Sequence, residues 1–386
     1  MNVLLLSNSD SVFVRDFCLH VLKEESINVV ILEPSLSKNY GKEYNTNNIR
    51  EVKWPDSFLV SIFKRLDIFT SRIKERKKLE KEIGFGNEVD VLHMHYVEPV
   101  HLIYFYSLWK KADRRVLTFW GSDIYRASAL KIKLFSHFLK HSTSIVFMIQ
   151  NQCDYFQTIF GHKYDDKIHV IDFGNSLLDV IDQVKQKYTI EECKRHFGLL
   201  LGRYIVHIGY NAYKEQQHTE IIKNIILLPP QILNRMQLVF PMSYGRGNDY
   251  DNYKQQLVKL MDTAEISYAF VDSYLQGEEL AMFRSTCDLF VYGQSTDARS
   301  ASPLEYVYAG AKFVCPKWLA DNYALLDRVA IQYYVYEEFG KLPETIQACV
   351  EAMDLPGEQI NERGRQGIRD EISWDSLAPK WRKLYE

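Results

Sequence analysis

The chain alternates short apolar runs, rich in β-branched residues, with longer amphipathic segments, and it does so twice. In the first half, 1–7, 28–32, 89–95, 115–119, 144–148 and 167–173 read as strands. Between them 13–25 has helical spacing (Phe13, Phe17, Val21, Leu22), and the apolar segment 102–111 reads as a helix too. The pattern lapses over 175–202, where charged and polar residues run on without a strand. It then restarts, with strands expected at 204–208, 237–241, 267–270, 289–292 and 313–315. Helices are expected at 218–228, 250–261, 277–285 and 303–309. Alternation of this kind implies parallel sheets covered on both faces. The expected class is therefore α/β, with two Rossmann-like domains whose parallel sheets face each other across a cleft. An N-terminal domain is placed over 1–174, a linker over 175–202, a second domain over 203–370 and a closing helix over 371–386. Ligands of open parallel sheets bind outside the carboxyl ends of the strands, so the cleft is the expected site.

Composition narrows the possibilities. The chain has 386 residues, enough for two or three domains at roughly 150 each. Its formal net charge of −3 removes any whole-molecule basic field, and no nucleic-acid partner is expected. Six cysteines occur without a CxxC pair, which fits a reduced, cytoplasmic compartment. The N-terminus has only four apolar residues in a row and no basic region, so it reads as a first strand rather than a signal peptide. No apolar stretch reaches the ~20 residues of a membrane span.

Several cofactor signatures are missing. SNSD stands where a GxGxxG would follow the first strand, and there is no GxxxxGK[ST], no HExxH and no metal-ligand spacing of Cys and His. Asp249-Tyr250-Asp251 forms a DxD, a pattern that can hold a metal on a nucleotide diphosphate, but it lies in a polar loop before a helix and reads as solvated. No metal and no cofactor are expected.

The segment 297–314, DARSASPLEYVYAGAKFV, carries the most chemistry. Asp297 and Glu305 are separated by seven residues, with Ser302 and Pro303 as the expected cap and first turn of a helix that ends at Gly310. Glu305 reads either as a donor-binding acid or as a first-turn acid serving the helix dipole. The second domain opens with IVHIGYNAYKEQQHTEII, a strand, a turn at Gly209 and a helix start. Backbone N–H groups there can hold a diphosphate, with Lys214 or His218 adding charge. The strand and Gly-rich turn VFPMSYGRGNDYDNY bring Tyr244, Arg246 and Asn248 to the same end of the sheet. In the first domain, LTFWGSDIYR places Trp120, Gly121, Ser122, Asp123 and Arg126 after a strand. Asp123 reads equally as a cleft residue or as a cap of the next helix. His93 and His95, on VLHMHY, are expected to divide, one facing the cleft and one the packing.

The acidic–x7–Glu spacing, with Gly five residues later and then a strand, resembles that of the large retaining glycosyltransferase family of GT-B fold. The segments around Gly209 and Tyr244 are similar to those of the 4-acetamido-fucose transferases of enterobacterial common antigen. The resemblance implies that Glu305 accepts hydrogen bonds from the donor ribose and that Asp297, where most members carry Glu, lies beside the donor sugar. It assigns Gly209, Lys214, His218, Tyr244, Arg246, Asn248, Ser302 and Glu305 to the donor, and Trp120, Gly121, Ser122, Arg126 and His95 to the acceptor side of the cleft. Asp297 and Asp123 become the catalytic candidates. Trp120 stands where many members have His, so no catalytic histidine carries over. The closing helix looks like the family's last helix, which crosses back to the first domain.

The implied activity is transfer of a sugar, with retention, from a nucleotide-diphosphate donor to a growing, lipid-linked bacterial surface glycan. A hydrolase or epimerase acting on nucleotide sugars, and an inactive nucleotide-sugar binding subunit, are the rival readings. One further stretch, 58–86, sets eight bases against four acids along an amphipathic pattern. It reads as a site for an anionic membrane at the inner face of the cell, or as a helix with a solvated charged face.

Overall fold

The computed structural model describes the whole chain apart from residues 8–10, 25, 34–47, 54–77, 79, 86–87, 297–298 and 356–361. Asp297 and most of 58–86 therefore lie outside the described residues. The chain divides into two compact units, Met1–Gly174 with Trp374–Glu386, and Asn175–Ser373.

The first unit is built on seven parallel strands: β1 (Asn2–Leu6), β2 (Asn28–Glu33), β3 (Ile49–Lys53), β4 (Val91–His95), β5 (Arg114–Phe119), β6 (Ser144–Phe147) and β7 (Ile168–Val170). Their order across the sheet is β3-β2-β1-β4-β5-β6-β7. It reverses between β1 and β4, the switch point at which such sheets open a crevice. The strand period of two sends alternate residues to opposite faces. Val3 and Leu5 pack with Val14, Phe17 and Val21 of helix α1 (Val12–Val21) and with Trp374 and Trp381, while Leu4 and Leu6 join Phe105, Trp109, Phe135 and Phe138 on the other side. Burial on both faces explains why these strands read as unbroken apolar runs.

The second unit repeats the plan with β8 (Tyr204–Ile208), β9 (Met236–Pro241), β10 (Tyr268–Val271), β11 (Leu289–Val291), β12 (Lys312–Pro316) and β13 (Tyr334–Tyr336). The order β10-β9-β8-β11-β12-β13 places its switch point between β8 and β11, which pair in parallel.

The structure corrects the reading in four places. Residues 175–202 are not a linker. They form helices α2 (Leu177–Lys187) and α3 (Ile190–His196), and α2 buries Leu178, Ile181 and Val184 against the second unit. Three apolar residues at helical spacing suffice to dock a helix, and the charges around them hid the stripe. Thr189 and Glu192 form a reciprocal capping box that the sequence displays as T-x-x-E. The segment 102–111 is two short helices, Pro99–Tyr104 and Tyr106–Lys111. Strands β3 and β13 were not anticipated. All six cysteines are buried and unbridged. Among the described residues, no helix is long and apolar enough to cross a membrane.

Candidate functional site

At the switch point of the second sheet the chain leaves β8 through Gly209, whose φ is +64°. A Cβ there would stand 2.7 Å from Gln216 Oε1 and 2.9 Å from His218 Nε2, so the turn requires glycine on both counts. Asn211 Oδ1 then accepts from the Tyr213 amide, and helix α4 (His218–Ile225) begins after Gln217. This loop is laced to the one that follows β11. Gln216 Nε2 donates to Gln294 Oε1 and Gln217 Nε2 to the Gly293 carbonyl. The Ser295 amide donates to the Glu215 carbonyl, and the Tyr210 hydroxyl bridges Gln294 and Ser300 at 3.0 and 2.6 Å.

The loop after β11 enters helix α6 (Ala301–Ala309), whose chain partner across the core is helix α5 (Gly277–Ser285). The helix starts at Ala301, two residues before Pro303, so Glu305 lies beyond the first turn and is not a first-turn acid. Its side chain is buried. Oε2 accepts from Arg284 Nε at 3.0 Å and Oε1 from Asn175 Nδ2 at 3.2 Å. Arg284, only 5% exposed, also donates from Nη2 to Ser302 Oγ and lies 4.2 Å over the Tyr306 ring. Tyr244 is 41% exposed, its ring centroid 6.5 Å from that of Tyr210; partial burial of its hydroxyl raises its pKa above the usual range, and Asn211, Arg284, Glu305 and Tyr274 also act on it. The structure thus brings Gly209, Tyr244, Ser302 and Glu305 into one neighbourhood.

Other expected donor residues are engaged elsewhere. His218 is buried, its Nδ1 within 2.9 Å of the Tyr253 hydroxyl, and burial pushes its pKa down to about 3. A neutral imidazole adds no charge for a diphosphate, which corrects that expectation. Arg246 spends its donors on the Met242 and Asp272 carbonyls and stacks over Tyr250, so it braces its own turn. Lys214 pairs with Asp249 at 2.7 Å on an exposed surface, and Asn248 is exposed. Asp249 serves that pair rather than a DxD, and the described residues hold no cluster of three metal-ligating side chains.

In the first unit, Asp123 is fully buried. Its carboxylate accepts from the backbone amides of Val97, Trp120 and Gly121 at 2.8 to 3.0 Å. Burial outweighs these bonds and pushes its pKa up to about 6. A carboxylate so occupied organises the Trp120–Gly121 turn, in which Gly121 has φ 113°, and it is not free to meet a substrate. His93 and His95 do not divide. Residues two apart on one strand share a face, and both rings are buried toward α1, 5.6 and 4.8 Å from Phe17. His93 bonds Tyr385 and Thr118, whereas neither nitrogen of His95 has a partner among the described residues. Burial lowers the His95 pKa to about 3. Trp120 is partly buried, 5.7 Å from Phe13, while Ser122 Oγ reaches the Tyr96 hydroxyl and Arg126 is exposed.

The sequence model of the family described as glycosyl transferase 4-like matches residues 2–150, which lie within the first unit and make up less than half of the chain. No curated protein matches the chain. Among solved structures, a glycosyltransferase from Rickettsia africae superposes with a TM-score of 0.75 at 14% identity, covering 100% of this chain and 97% of the other. Anabaena HepE in complex with UDP gives 0.72 at 13% identity, covering 99% of each. Sucrose-phosphate synthase from Thermosynechococcus elongatus gives 0.71 at 12% identity, covering 100% and 98%. The fold is that of the GT-B glycosyltransferases.

The matched segment ends before the residues that gather around Glu305, and sequence reasoning missed most of those. Arg284, Asn175, Asn211 and Gln294 were not anticipated. One signal was available for Arg284. It stands three residues after Ala281 in a helix, on the side where an apolar residue would be expected.

Proposed function

We propose that the protein takes a sugar from a nucleotide-diphosphate donor held by the second unit. The sugar passes, with retention, to a growing, lipid-linked bacterial surface glycan. The observation that carries this reading is the buried Glu305 carboxylate, fixed by Arg284 and Asn175 beside Tyr244 and within one turn of Ser302. In this reading Glu305 accepts the ribose hydroxyls and Tyr244 lines the same pocket. Departure of the diphosphate leaves negative charge, which the Gly209 turn and the amides at the start of α4 stabilise. Trp120, Gly121, Ser122 and Arg126, on the turn that Asp123 builds, are the residues this reading assigns to the acceptor, and Asp297, outside the described residues, the acid it assigns to the sugar. The complexes of HepE with UDP and with UDP-glucose support a nucleotide sugar as donor. A lipid-linked acceptor would be met at the inner face of the membrane, with the basic stretch 58–86 as the contact.

A thermal-shift panel of nucleoside diphosphates and nucleotide sugars tests the donor reading. A ligand at 100 times its dissociation constant stabilises the fold by about 2.7 kcal/mol. No shift with any member of the panel would reject it. Donor consumed without acceptor would favour a hydrolase or epimerase, and binding with no turnover across acceptors a binding subunit.

A further inference from the structure

We propose that Arg284 is a positioning residue for the donor nucleotide, holding the Glu305 carboxylate in the one orientation that presents two acceptor sites to a vicinal diol. The inference rests on the donor reading of Glu305. A carboxylate offers about four lone-pair positions, two on each oxygen. Among the described residues Arg284 Nε takes one on Oε2 and Asn175 Nδ2 takes one on Oε1, leaving one on each oxygen, the number that neighbouring 2′- and 3′-hydroxyls require.

Arg284 is itself held by two further contacts. Nη2 is anchored on Ser302 Oγ at 3.0 Å, at the start of the helix that carries Glu305. The guanidinium lies on the Tyr306 ring, and that ring is pinned by its hydroxyl to His207 Nδ1 at 2.9 Å. His207 is held in turn, Nε2 lying 3.3 Å from Thr286 Oγ1, two residues beyond Arg284. Burial keeps His207 neutral, so the network contains one cation and one anion. A planar guanidinium fixes the direction of its hydrogen bonds, whereas an ammonium in its place supplies charge without orientation. The arrangement is more elaborate than neutralising a buried acid requires.

The test is the ratio of dissociation constants for ribonucleoside diphosphates and their 2′-deoxy counterparts. It is measured by calorimetry on the full chain with UDP, GDP, ADP and CDP as probes. The wild type is expected to prefer the tightest ribonucleotide over its deoxy partner by tenfold or more. In Arg284→Met the ratio should fall to within about threefold of unity, while the deoxy nucleotide keeps its affinity within about twofold. Arg284→Lys should hold an intermediate ratio. Melting of every variant is followed in parallel. Should Arg284→Met fail to fold, Arg284→Lys carries the test, and an unchanged ratio there overturns the proposal. An unchanged ratio in a folded Arg284→Met overturns it likewise, because a merely structural arginine would alter melting alone. Failure of the donor reading is separate: the wild type would show no ribose preference, or Glu305→Gln would leave the preference intact.

Discussion

The two units are built alike, each a parallel sheet whose strand order reverses next to its first strand, yet they use their buried polar groups differently. In the first, Asp123 gives its carboxylate to three backbone amides, and His95 is sealed among Phe17, Phe173, Trp120 and Trp381. In the second, the Glu305 carboxylate meets two donors among the described residues, each from a side chain. A buried acid bonded wholly to backbone is a structural part. One gripped by side chains with acceptor capacity to spare is the better candidate for a ligand, and sequence motif strength does not separate the two cases.

The strongest way to break this contrast is Asp123→Ala. It leaves three backbone amides without acceptors, at about 1–3 kcal/mol for each buried donor left unmet. We expect chemical denaturation to show a loss of at least about 3 kcal/mol, with nucleotide affinity in the surviving folded protein close to wild type. A weaker nucleotide complex in that variant would mean that the first unit takes part in donor binding.

The next pair compares turns. Gly209→Ala and Gly198→Ala both force a side chain onto positive-φ backbone, at φ +64° in each, which costs about 1–2 kcal/mol. Nothing lies within 4 Å of the Cβ at Gly198, whereas at Gly209 it meets Gln216 and His218. Gly209→Ala should therefore destabilise by about 1 kcal/mol more than Gly198→Ala. It alone should weaken nucleotide binding. Equal losses of stability would show that the β8 loop gives way easily.

The smallest effect has the opposite sign. His95→Phe removes two unpartnered nitrogens from an aromatic enclosure and should raise stability at pH 7.5 by about 1 kcal/mol. His95 stays neutral down to about pH 3 in the folded chain, against an ordinary value of 6.5. Between those values the unfolded chain binds the extra proton, so stability falls as pH falls. The slope attributable to one such group is about 1.4 kcal/mol per pH unit. Denaturation curves between pH 6.5 and 4 should be shallower in pH dependence for His95→Phe by that amount. An unchanged slope would mean that the ring is more accessible than its enclosure suggests.

Much of the fold was legible because parallel strands buried on both faces write themselves as short apolar runs. The β8, β9 and β11 segments could be read directly for this reason. The α2 and α3 helices were missed because three buried residues among many charges are a faint stripe. The candidate site was legible where backbone geometry demands a residue type, as at Gly209, or where spacing is distinctive, as at Glu305. It was illegible where the partner is distant in sequence: Arg284, Asn175 and Gln294 meet their partners only through the packing of helices and loops. The alternation rule would have placed His93 and His95 together had it been applied to the pair. His218 shows the remaining limit, since a histidine at a helix start reads as a phosphate ligand until its burial is known.

The central claim is that the nucleotide is held in the second unit through Glu305 while Asp123 serves the fold of the first. It is tested most directly by titrating the tightest-binding ribonucleoside diphosphate into Glu305→Gln and Asp123→Asn side by side. Loss of a charge-assisted acceptor, at about 1.5–3 kcal/mol, predicts at least about tenfold weaker binding for Glu305→Gln. Binding by folded Asp123→Asn should match wild type within about twofold, despite its lower stability. Wild-type affinity in Glu305→Gln, or an equal loss in both variants, would contradict the account.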